Sequence, residues 1–112
     1  MAKIGTFVVD PKAGAYCQIT LDGGDKIVVN HDKGGFKGGR LTIEKTKWWG
    51  SGEQLFVCDL ESPGGKAALA RLTQGARESS ADATPLGAFV NFVKNCASAA
   101  DVKSTCAGLI EG

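Results

Sequence analysis

Apolar and polar residues alternate through the first half of the chain and then give way to a longer period. After KIGTFVVD and the turn-forming PKAG, the run AYCQITL sets Cys17, Ile19 and Leu21 on one face and Tyr16, Gln18 and Thr20 on the other. This is the two-residue period of a half-buried strand. Asp22-Gly23-Gly24 can supply the positive φ angles of a tight hairpin turn, and DKIVVN places Ile27 and Val29 opposite Val28. RLTIEKTKWW directs Leu41 and Ile43 one way, and Gly50-Ser51-Gly52 turns the chain into EQLFVCDL. That last run is apolar on both sides, Leu55 and Val57 against Phe56, Cys58 and Leu60. It predicts a central strand covered on both faces.

Beyond Ser62 the spacing becomes helical. In SPGGKAALARLTQGA, Ser62 is placed to cap, Pro63 to occupy the first helical position and Gly75 to stop the helix. Residues 75–84 are small and polar, the composition of a mobile linker. TPLGAFVNFVKNCASA repeats the Thr-Pro start and lines up Leu86, Phe89, Val90, Val93 and Cys96 on one stripe. SAADVKSTCAGLIEG offers Ser98 as cap and Asp101 three positions on, with Val102, Cys106, Leu109 and Ile110 on one side. Five strands joined by short hairpins and followed by helices predict one α+β domain over residues 1–112. Its strand-rich part, 1–61, forms an antiparallel, curled sheet, and the helices of 62–112 cover one face.

Composition narrows the class without naming an activity. The 112 residues are 43% hydrophobic and 22% charged, with a formal net charge of +1, as in ordinary globular domains. No apolar run is long enough to cross a bilayer, and MAKIGTFVVDPKAG lacks the features of a secretory signal. The expectation is a cytoplasmic protein without a membrane partner. Cys17, Cys58, Cys96 and Cys106 are dispersed with no CxxC pair, which argues against structural zinc. Cys17 and Cys58 fall in apolar strands, where a thiol acts as a small hydrophobe. Cys96 and Cys106 sit on neighbouring helical segments, and a disulfide between them is the one crosslink the spacing leaves open.

Charge adds a candidate surface. From Lys26 through Trp49 six basic residues (Lys26, Lys33, Lys37, Arg40, Lys45 and Lys47) face two acids, Asp32 and Glu44, a local +4 that leaves the rest of the chain at −3. Phe36 lies between two glycine pairs, and Trp48 and Trp49 end the same stretch. Cations interleaved with exposed rings suit single-stranded nucleic acid, the cations meeting phosphates and the rings stacking on bases. Lys33, Lys37, Arg40, Lys45 and Lys47 would contact phosphate, and Phe36, Trp48 and Trp49 would stack. Two plainer readings compete. Paired tryptophans also anchor protein contacts or a symmetric homodimer, and lysines on a strand guard against edge-to-edge aggregation.

Catalysis finds little support. SPGGKAA resembles a phosphate loop only loosely, because Leu60 and Ala67 stand where GxxxxGK[ST] needs a glycine and a hydroxyl. What survives is a weak anion site at Gly64, Gly65 and Lys66, where a helix N-terminus presents backbone N–H groups. His31, the single histidine, cannot build a multi-histidine metal site, and the carboxylates fall at strand ends and turns. The expected role is that of a small non-catalytic binding module that needs no cofactor. Its first candidate ligand is single-stranded nucleic acid, and its alternative is a protein partner or a second copy of the chain.

Overall fold

The computed structural model describes residues 2–10, 14–32, 39–46 and 52–111, the side chains of residues 110 and 111 excepted. Alternation produces the sheet: β1 (Lys3–Ile4), β2 (Val8–Asp10), β3 (Gly14–Thr20), β4 (Lys26–Asp32), β5 (Arg40–Lys45) and β6 (Glu53–Asp59). All pairings are antiparallel, in the order β1-β3-β4-β5-β6, with β2 also paired to β3. The sixth strand arises because KIGTFVVD divides. Lys3 and Ile4 pair with Thr20 and Ile19, whereas Val8, Val9 and Asp10 pair with Tyr16, Ala15 and Gly14.

Inward residues follow the predicted parity. Cys17, Ile19, Ile27, Val29, Leu41 and Ile43 have no exposed surface. Three helices close over that face: α1 (Pro63–Glu78), α2 (Pro85–Val93) and α3 (Ala99–Glu111). Helix α2 lies against β3 and β4, and α3 against β6. Phe89 of α2 is fully buried, its ring centroid 6.2 Å from that of Phe56.

The helix starts are the ones the caps dictate. Ser62 Oγ accepts from the Gly65 N–H at 3.0 Å, and Thr84 Oγ1 accepts from the Gly87 N–H at 3.2 Å, each with proline at the start of the helix. Before α3 the exchange is reciprocal: the Asp101 N–H donates to Ser98 Oγ and the Ala97 N–H to Asp101 Oδ2. Gly75 does not stop α1, which continues to Glu78. A single interior glycine costs a helix only about 1 kcal/mol, and the buried Leu72 and Ala76 hold both sides of it in the core.

β6 differs from the sequence expectation. It is an edge strand, and Val57 on its outer face is 40% exposed. Its two-sided apolar pattern comes from a register shift. Ile43 pairs with Phe56 but Glu44 with Gln54, so Leu55 is an extra residue. The bulge lets the adjacent Leu55 and Phe56 both turn inward.

Candidate binding surface

Antiparallel register fixes what the second face of the sheet displays. Residues directly opposite one another across strands share a face, so Val8, Tyr16, Asn30, Thr42 and Val57 form one continuous row across β2, β3, β4, β5 and β6. Val8, Tyr16 and Val57 are 37%, 44% and 40% exposed. The next row is Gln18, Val28, Glu44 and Gln54. Among the described residues, the helices all pack on the opposite side. The described helices leave this face uncovered.

Among the described residues its two end rows differ in charge. At one end Lys3 and Lys26 flank Thr20. At the other, Asp10, Gly14, Asp32, Arg40 and Asp59 stand in one row. All six charged residues of these two end rows are exposed.

This geometry redistributes the basic stretch. Asp32 and Arg40 mark one end of the β4–β5 pair, while Lys45 and Glu53 mark the other end of the β5–β6 pair. The connections carrying Phe36 and the tryptophans thus leave β5 from opposite ends rather than from one hairpin. Lys33, Phe36, Lys37, Lys47, Trp48 and Trp49 themselves lie outside the described residues. Of the five cations expected to meet phosphate, the two described, Arg40 and Lys45, stand beside acids. Arg40 stands between Asp32 and Asp59 in the cross-strand row. Lys45 Nζ lies 3.6 Å from Asp25 Oδ1, and Asp25 Oδ2 accepts the Ala99 N–H at 2.8 Å at the start of α3.

The start of α1 is likewise supplied with its own acceptors. Gly65 is buried, and a Cβ there would run into the Asp59 carbonyl. Ser62 Oγ takes the Gly65 N–H and itself donates to the Asp59 carbonyl at 2.7 Å. Asp59 Oδ1 accepts from the Glu61 N–H, and Lys66 Nζ lies 4.0 Å from Glu61 Oε2. Gly64 is exposed beside them, with open space where a side chain would go.

The sequence reading passed over the burial of His31. His31 is only 7% exposed and continues the inward series Ile27, Val29, His31. Extending the alternation by one step would have found it. Its ring packs on Gly39, whose φ of +136° and lack of a Cβ permit the approach. All four cysteines are free and buried, and burial raises each thiol pKa. A cavity of about 140 Å³ lies between Ile4 and Phe7 on one side and Val90, Asn91 and Lys94 of α2 on the other. Its volume suits a single ring rather than an ordinary ligand.

Among the described residues, no group of three or more His, Cys, Asp or Glu side chains could hold a metal ion. No helix there is long and apolar enough to cross a membrane. Comparison of the chain with protein-family models, curated proteins and solved structures finds no match.

Proposed function

We propose that this protein is a non-catalytic interaction module that docks another protein on the open face of its sheet. The observation that carries the reading is the cross-strand row Val8–Tyr16–Asn30–Thr42–Val57, apolar at both ends with an exposed aromatic ring beside Val8. A mixed face with an exposed tyrosine and a charged rim has the make-up of a non-obligate interface. A photo-crosslinking residue, p-benzoylphenylalanine, substituted at Tyr16 or at the exposed Lys103 of α3 tests it in cells making the chain. Defined protein adducts from position 16 and none from position 103 are expected. Adducts from position 103 alone would contradict it.

A second reading, a polyanion such as single-stranded nucleic acid, draws on the +4 concentrated between Lys26 and Trp49. The acids set around Arg40 and Lys45 make these two cations poor phosphate contacts. The reading therefore rests on Lys33, Lys37 and Lys47 with Phe36, Trp48 and Trp49. Tryptophan emission titrated with single-stranded oligonucleotide decides it: saturable quenching that weakens as salt rises supports the reading, and emission indifferent to the oligonucleotide removes it.

A further inference from the structure

We infer that the partner on the open sheet face is a second copy of this chain, related by a two-fold axis that runs across the strands between the two sheets. The inference rests on the docking role proposed for that face and adds the identity of the occupant.

Two symmetric stackings keep the strands of both copies aligned, the arrangement of packed sheets nearest to parallel, and the charge pattern separates them. An axis parallel to the strands lays each row on its own counterpart. Asp32 then meets Asp32, Lys26 meets Lys26, and Asp10 approaches Asp59, all like charges. An axis across the strands reverses their direction and lays the aspartate row of one copy on the lysine row of the other. Asp10 then stands over Lys3 and Asp32 over Lys26, because β1 and β2 share one side of β3 while Asp32 and Lys26 share β4. Symmetry repeats each pairing, giving four opposite-charge contacts. Between them the Tyr16 row lies on the row of Gln18, Val28, Glu44 and Gln54, where Glu44 faces Thr42 rather than another charge. Asp10 and Asp32 each also make an interaction within their own chain.

Dimensions agree with a reversible dimer. Sheets stack face to face about 10 Å apart, a gap that lysine and aspartate side chains can span together. Five strand positions about 4.8 Å apart and strands of about 20 Å give a face of roughly 500 Å² per chain. Both faces together bury roughly 1,000 Å², the lower bound for a specific interface. The self-contact should accordingly form at micromolar or higher concentration and weaken with salt.

The test is sedimentation equilibrium of the full chain over a wide concentration range, with Lys26→Asp, Asp32→Lys, the double swap and Tyr16→Glu, each checked for folding by circular dichroism. Wild type should pass from monomer to dimer mass. Either single charge reversal should weaken dimerisation by roughly tenfold or more, since opposed like charges are costly. The double swap should restore it across this two-fold, and an equimolar mixture of the two single variants, one negative and one positive at positions 26 and 32, should associate as well. A wild-type chain that stays monomeric overturns the second-copy inference while leaving the docking face to the crosslinking test. A dimer indifferent to Tyr16→Glu and to the charge reversals places association elsewhere and likewise overturns the second-copy inference, the docking face again resting on the crosslinking test. Recovery of the singles in mixture without recovery in the double swap would exclude the proposed axis.

Discussion

Asp25 serves two elements with one carboxylate. Oδ2 accepts the Ala99 amide at the start of α3, and Oδ1 faces Lys45 on β5. The amide contact is the larger, because it satisfies a helix N–H that has no partner within the helix. Asp25→Ala should lower stability by about 1–2 kcal/mol. Lys45→Gln, which breaks only a partly exposed ion pair, should cost less than about 1 kcal/mol. Urea denaturation of both variants checks the ranking, and a larger loss for Lys45→Gln would contradict it. Cys106 gives a pH dependence at the same scale. Burial, reinforced by neighbouring Cys96 and Cys58, raises its thiol from 9.0 to about 12. A group raised in the folded state keeps its proton there while the unfolded chain loses it, so its stabilising effect is complete below about pH 9 and declines toward pH 12. Cys106→Ala should therefore show a smaller alkaline loss of Tm than wild type between these limits. Equal losses would mean that Cys106 does not contribute.

At the scale of elements, the two sides of the sheet should respond unequally. Phe89 on α2 fills the core beneath the sheet with no exposed surface, so Phe89→Ala should cost about 3–5 kcal/mol. Gln18, pointing to the open face between buried Cys17 and Ile19, should tolerate alanine within about 0.5 kcal/mol. Chemical denaturation that ranked Gln18→Ala with Phe89→Ala would show the face to be covered. Signals confined to neighbouring residues were legible in advance: strand parity at Cys17, Ile19, Leu41 and Ile43, and the caps Ser62, Thr84 and Ser98. Signals set by distant pairing were not. The Leu55–Phe56 bulge depends on which residue β5 places opposite, and so does the edge position of β6. Asp25 reaches a helix end 74 positions away, which no local pattern encodes. The candidate surface was legible only in part. The sequence pointed to the charge between Lys26 and Trp49, whereas the row joining Val8, Tyr16 and Val57 exists only once the strands are in register.

For the whole molecule, one organisation accounts for these features: helices seal one face of the sheet, and the other remains as a bipolar surface. On the inference drawn above, the charges of the described end rows make that surface complementary to itself in one orientation. The most direct test is a dilution series of ¹⁵N-labelled protein followed by amide chemical shifts. Concentration-dependent shifts should map to Tyr16, Gln18, Val28, Asn30 and Thr42, with the amides of α1 and the inward residues of α2 unchanged. Shifts confined to the helices, or none up to millimolar protein, would contradict self-association through the open face.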